Sequence, residues 1–212
     1  MSSLSCLALA SPSQQAMVSG LFPEKVYFLD PFEDLSPEHP DCPDRDTLCL
    51  ARERVKDYLA AARPDVVFGH GGYGTLVLSL LTHGFTFPCA IISSAMVDPL
   101  SALALGSASP YTGASSLDHL LHTLADNAAV SGINHVHTPV LIVHGEEDPG
   151  VPSSQADELF VLLKAVQKDV YAKLVLVPGC GHDYPPEILP DLRQEISGFL
   201  ASHATGKEAT EP

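Results

Sequence analysis

A chain of 212 residues is long enough to bury one sizeable α/β core, and no shift in composition along it calls for a second domain. Its 26 acidic residues against 11 basic ones give a formal charge of −15, which repels phosphate backbones and anionic lipid and argues against nucleic acid and membrane surfaces as partners. Five cysteines (Cys6, Cys42, Cys49, Cys89, Cys180) are odd in number and form no CxxC pair, so neither a disulfide framework nor a zinc ribbon is indicated and a reducing, cytoplasmic setting is expected.

The apolar stretch Leu4 to Ala10 is too short to span a bilayer and lacks the basic flank of a secretory signal, so Ser5 to Ala10 reads as a first strand. Lys25 to Leu29 reads as a second. A Pro- and Asp-rich loop, Asp34 to Asp46, leads into a helix whose apolar positions Leu48, Ala51, Val55, Leu59 and Ala62 recur at helical spacing until Pro64 ends it. Strands Val66 to Phe68 and Cys89 to Ser93 flank a helix running from Tyr73 through Leu76, Leu80 and Leu81 to Gly84. Strands Val140 to His144 and Lys173 to Val177 follow, with helices over Ser154 to Lys168 and Pro190 to His203. Short strands that are apolar throughout, alternating with helices, predict a parallel sheet covered on both faces. Residues 1–204 read as a single domain and the polar end, 205–212, as a disordered tail. Between them, Asp98 to Asn134 is rich in small and polar residues, with one helical patch at Leu117, Leu120, Leu121 and Leu124. It reads equally as a linker with a surface helix or as a lid inserted over a site.

Two loops carry the chemistry. The strand in Val140-Leu-Ile-Val-His-Gly-Glu-Glu-Asp148 stops at Gly145 and delivers Asp148, whose loop is stiffened by Pro149 and Pro152. Thirty-four residues later, the next strand hands over to Gly179-Cys-Gly-His-Asp-Tyr and delivers His182 between small residues. An acid and an imidazole set at neighbouring strand ends in this way can pair, the carboxylate orienting the ring and the ring serving as general base. Taken singly, Asp148 also fits a turn aspartate and His182 an exposed loop histidine. Glu146 and Glu147 read as solvated, and Cys180 as a small buried filler rather than a thiol nucleophile. The pairs His119/His122 and His135/His137 lack a convergent third ligand, so no metal and no cofactor is expected.

The third feature is Val66-Val-Phe-Gly-His-Gly-Gly-Tyr-Gly-Thr-Leu76, a strand, a sharp glycine turn and a helix. That is the layout of a nucleophile elbow. On these residues the chain resembles the α/β-hydrolases. Its second half is most similar to their esterase, dienelactone-hydrolase and prolyl-oligopeptidase-like branches, over roughly Val66 to Leu200. Ser94-Ala-Met-Val-Asp-Pro and Ser109-Pro-Tyr-Thr-Gly113 are similar to segments of small single-domain bacterial esterases. The resemblance implies an α/β-hydrolase fold, with a mostly parallel sheet and helices on both faces, and acyl chemistry on a small ester or amide. Overlaid without gaps on the pattern Gly-His-Ser-x-Gly-Gly-Thr-Leu, the chain has Gly71 where the serine stands and Tyr73 where a small residue stands. An overlay anchored on Gly71-Gly72-Tyr73 puts Gly69 there instead. Either way the nucleophile position has no side chain. The N–H of Gly72 is the expected oxyanion donor, and a second donor is unassigned because the early strand ends Leu9-Ala-Ser-Pro12. Another arrangement would make His70-Gly-Gly72 the oxyanion motif and Ser107 or Ser109 the nucleophile, but it leaves little chain for the intervening crossover and puts Pro110 where a helix should start. Two functions follow. One is a hydrolase acting through Asp148 and His182 with an unplaced nucleophile or with water; the other is a catalytically impaired member of the fold that binds a small molecule or a protein partner.

Overall fold

The computed structural model describes residues 4–22, 25–35, 43, 45–104, 129–166 and 170–204. Six strands, β1 (Cys6–Leu9), β2 (Val26–Leu29), β3 (Val66–His70), β4 (Cys89–Ser93), β5 (Val140–Gly145) and β6 (Ala172–Val177), form one sheet in the order β2-β1-β3-β4-β5-β6. Every pairing in it is parallel. Among the described residues the helices are α1 (Gln15–Leu21), α2 (Arg45–Leu59), α3 (Gly72–Thr82), α4 (Pro99–Ala104), α5 (Ser154–Val166) and α6 (Leu189–His203).

The continuous apolar character of the central strands has a direct cause. Alternate side chains of one strand enter two different cores. Leu7, Leu9, Val67, Ala90, Ile92, Val140 and Ile142 pack on one face with Leu48, Val55 and Leu59 of α2, the apolar side of α3, and Leu159 and Leu163 of α5. Cys6, Ala8, Val66, Phe68, Cys89, Ile91, Leu141 and Val143 pack on the other with Val18 and Leu21 of α1 and Leu192, Ile196 and Phe199 of α6. Helices therefore cover both faces, as the strand pattern requires.

Within the described residues the predicted strands and the four predicted helices are present, with shifted ends. The helix expected to reach Ala62 stops at Leu59, where Arg63 Nη1 donates to the Leu59 carbonyl at 3.0 Å. Pro64 disfavours helical backbone at the residue before it, so the chain leaves the helix early and Arg63 takes up an orphaned carbonyl. α1 and α4 were not legible as helices. α1 is only seven residues long, too short for a periodic apolar face, yet it had a start signal. Pro12 opens a single 3₁₀ turn, Pro12–Gln14, and Gln14 Oε1 accepts the Ser11 N–H at 3.4 Å, the reach-back half of a capping box. The segment read as linker or lid, Asp98 to Asn134, opens with α4 and closes in a 3₁₀ turn at Ala129–His135; its middle, with the Leu117 to Leu124 patch, His119, His122, Ser107 and Ser109, lies outside the described residues, as does the tail 205–212.

Sheet order sets the location of the site. β1 lies between β2 and β3, so the chain moves outward in one direction after β1 and in the other after β3. In an open parallel sheet, the crevice at such a reversal, outside the carboxyl ends of the strands, is where ligands bind. The turn after β3 and the loops after β5 and β6 all lie on this edge. No helix of the described residues is long and apolar enough to cross a membrane.

Candidate active site

The turn after β3 is built by its glycines. A Cβ on Gly69 would stand 2.2 Å from the Tyr73 carbonyl oxygen, and one on Gly74 would stand 2.7 Å from that of Ser93. Only side-chain-free positions let β3 and α3 approach so closely. Gly71 sits at the apex with φ 60° and ψ −129°, a conformation that L side chains rarely adopt and that a nucleophile elbow imposes. Its N–H donates to the Ser93 carbonyl at 2.9 Å, and its own carbonyl accepts the Thr75 N–H at 3.0 Å. Gly72 is the first residue of α3, so its N–H has no carbonyl partner within the helix and points with the positive end of the helix dipole. The loop after β1 is less well equipped, since Pro12 has no N–H and that of Ser11 is directed to Gln14.

Tyr73 occupies its place through contacts the sequence did not announce. Its hydroxyl donates to Asp30 Oδ1 at 2.7 Å and its ring lies 4.8 Å from that of Phe32, both residues following β2. Burial, then the hydrogen bond to Asp30 and its charge, raise the Tyr73 pKa far above the ordinary phenol value.

Asp148 and His182 come together as the spacing predicts. The Asp148 side chain is 0% exposed, and its Oδ2 lies 2.7 Å from Nδ1 of His182, whose own side chain is 22% exposed. A carboxylate can only accept, so Nδ1 carries the proton and Nε2 of the neutral ring keeps its lone pair, as a general base requires. Oδ1 accepts the N–H groups of Gly150 and Val151, both at 2.9 Å. Burial alone would raise the Asp148 pKa. The hydrogen bonds from His144, His182 and Val151 and the charge of His182 outweigh it, and the carboxyl is held well below the usual carboxylate range.

One glycine allows this meeting. A Cβ on Gly145, at the end of β5, would stand 2.1 Å from the Gly181 carbonyl oxygen and 2.5 Å from that of Cys180. Gly145→Ala is therefore expected to push the His182 loop outward and to lower stability by roughly 1–3 kcal/mol, the usual penalty for overpacking. A chemical melt of the variant beside the parent measures it. An unchanged midpoint would mean that the loop yields without resistance.

Two histidines that the sequence did not single out stand beside the couple. His144, four residues before Asp148, is fully buried; its Nε2 lies 2.8 Å from the Val151 carbonyl and 3.5 Å from Asp148 Oδ2, so it braces the acid loop from within. His70, just before the elbow glycines, is also buried. Its ring is 5.0 Å from that of His182, its Nδ1 is 2.9 Å from Ser93 Oγ, and its Nε2 is 3.5 Å from Asp183 Oδ1. A histidine on an apolar strand reads as core filling in sequence, and only the folded sheet places these two beside the couple. Cys180 is buried in the cluster of α1 and α6. His135 directs Nδ1 to the Thr82 carbonyl at 3.0 Å, and no group of metal-ligating side chains is found among the described residues.

Similarity to known proteins points the same way. The chain is 40% identical over 79 residues to the uncharacterized peptidase YuxL of Bacillus subtilis (strain 168), a segment covering 37% of this chain and 12% of that protein. It is 40% identical over 88 residues to acyl-protein thioesterase 1 of Gibberella zeae, covering 42% of this chain and 34% of that one. The chain thus spans well under two thirds of the length of both relatives. Among solved structures, Pyrococcus horikoshii acylaminoacyl peptidase superposes with a TM-score of 0.69 at 13% identity, covering 98% of this chain and 39% of that chain. A puromycin-hydrolyzing peptidase of Mycobacterium tuberculosis superposes at 0.58 with 17% identity, covering 76% of this chain and 26% of that chain. At such identities the likeness establishes the fold, and the fold is that of the α/β-hydrolases. Because residues 40–207, from the approach to α2 to beyond the end of α6, match the prolyl oligopeptidase family, the chain belongs to that family of serine-hydrolase-like peptidases and esterases.

Proposed function

We propose that this protein is an attenuated hydrolase of small esters or amides, in which His182, oriented by Asp148, acts as general base on a water molecule at the turn where relatives carry a serine. The observation that carries the reading is the 2.7 Å bond between His182 Nδ1 and a carboxylate sealed from solvent. The acid spends one oxygen on the N–H groups of Gly150 and Val151, which fix its loop, and turns the other to the part-exposed imidazole, the arrangement that orients a base. Gly71 holds the nucleophile conformation without a nucleophile, so no acyl-enzyme forms at that position and the carbonyl carbon must be attacked by water. The Gly72 N–H would stabilise the developing oxyanion, and protonated His182 would return its proton to the leaving group. With the nucleophile absent, the remaining acceleration is what binding, the base and a partial oxyanion hole supply.

A second reading is favoured by Gly71 itself: binding of a small acyl ligand or a partner without turnover. Hydrolysis of a short-chain p-nitrophenyl ester separates the two. Under the first reading His182→Ala loses about 10²-fold or more of the rate, the usual contribution of a general base, while melting as the parent does. Equal rates in the two proteins would leave the binding reading in possession. The free cysteines Cys6, Cys49, Cys89 and Cys180 are consistent with work in the cytoplasm.

A further inference from the structure

The loop that carries His182 is held from beneath by a run of hydroxyl groups that the Asp148–His182 couple does not account for. Tyr184 is buried, and its hydroxyl lies 2.9 Å from Ser93 Oγ and 3.2 Å from Ser94 Oγ. Ser93 Oγ reaches the other way to His70 Nδ1, at 2.9 Å, and Ser94 Oγ donates to the backbone carbonyl of His182 itself, at 3.3 Å. That carbonyl can only accept, which orders the proton positions along the whole run. Ser94 gives its one proton to His182, so Tyr184 donates to Ser94, Ser93 donates to Tyr184, and His70 Nδ1–H donates to Ser93. The run therefore joins the residue before the elbow glycine to the backbone of the base, across the ends of β3, β4 and β6.

Two further observations show that this arrangement is held against a cost. Ser94 has φ 48°, in the left-handed region that disfavours a side chain, and such strain persists only where surrounding contacts over-determine it. Here the turned backbone aims Oγ at Tyr184 and at the His182 carbonyl together. Burial raises the Tyr184 pKa to about 12 against its hydrogen bonds with Ser93 and Ser94, which lower it, so the phenol keeps its proton across the physiological range.

We propose that Tyr184 is the positioning residue for His182: through Ser93 and Ser94 it pins the loop after β6 to the sheet, so that the ring stands beside His70 with Nδ1 on Asp148. The role assigned to Tyr184 rests on the reading of His182 as base, but its geometric consequence does not. A residue that merely filled the core would leave the Asp148–His182 bond intact when its hydroxyl is removed.

The test is proton NMR of the full chain, following the low-field Nδ1–H of His182 and assigning it by its disappearance in His182→Gln. In Tyr184→Phe the packing is kept and only the hydroxyl is lost, and that proton is expected to exchange with water at least about tenfold faster while amides of the core strands stay protected. Ser94→Gly is the second variant, since glycine accepts φ 48° without strain and the change removes both the Tyr184–Ser94 bond and the Ser94–His182 bond through which the hydroxyl run reaches the loop, and it should show the same acceleration even if Tyr184→Phe does not fold. Parental exchange of the His182 proton in a folded variant of either kind would overturn the proposal. Ester hydrolysis, run alongside, separates the two layers. Faster exchange with no turnover in any form upholds the pin and removes the base reading; unchanged exchange with turnover that depends on His182 removes the pin alone.

Discussion

Gly71→Ser is expected to create a site that a fluorophosphonate probe labels covalently and that turns over p-nitrophenyl esters about 10²-fold or more faster than the parent. The backbone at 71 already turns through φ 60°, ψ −129°, the Gly72 N–H follows it, and Asp148 already holds Nδ1 of His182. What is missing is the side chain. In triads of this kind the nucleophile and base act as a unit, and losing the nucleophile removes roughly 10⁶ in kcat, so even a poorly aligned serine should recover part of that factor. The substitution is not free. A β-carbon at this φ is strained by about 1–3 kcal/mol, a loss a domain of ordinary stability tolerates with a lowered melting temperature. Labelling should vanish when His182→Ala is added. Gly69→Ser serves as the opposing control, because a Cβ there meets the Tyr73 carbonyl at 2.2 Å and should prevent the turn from closing. A folded Gly71→Ser protein that takes up no probe would mean that the elbow apex and the His182 ring do not face a common carbonyl.

Asp148→Asn is expected to have the second largest effect, on stability and on the base together. The carboxylate accepts two backbone N–H groups on one oxygen and His182 on the other, with His144 close by. An amide can keep one oxygen's worth of these bonds, but its NH₂ must then face a donor. Leaving buried polar groups without their partners in this way lowers stability by roughly 1–3 kcal/mol. His182 would also lose the partner that fixes its tautomer, and in comparable triads this change alone lowers kcat about 10⁴-fold. The pH dependence carries the same signature. The folded Asp148 pKa lies below the unfolded value of about 3.9, so its contribution is fully present above that pH and is lost as pH falls towards the folded value. Urea midpoints of the parent should therefore fall between about pH 5 and pH 3 more steeply than those of Asp148→Asn. Parallel pH curves for the two proteins would mean that the carboxylate is not held as the hydrogen bonds require.

Much of this architecture was legible in the residues. The six strands, four of the helices and the pairing of Asp148 with His182 followed from apolar runs that stop at glycine and from acid and base placed at successive strand ends, because period and punctuation are local properties of a chain. In the sequence Gly71 and Gly69 were equal candidates for the turn position. The difference lies in three dimensions, where one glycine sits inside β3 against the Tyr73 carbonyl and the other turns through positive φ. Tyr73 looked misplaced until Asp30 and Phe32, more than 40 residues earlier, closed around it.

By itself, the order of amino acids determined the class of fold, the strand ends that bring Asp148 to His182 and the glycines of the turn after β3, since each depends on residue type and on spacing along the chain. Only the tertiary structure decided what braces those groups. His144 behind Asp148, His70 beside His182, and Tyr184 with Ser93 and Ser94 beneath it are brought together across β3, β4, β5 and β6. Parallel crossovers bring the ends of distant segments to one edge, and hydrogen bonds between side chains some 90 residues apart leave no periodic trace in either segment.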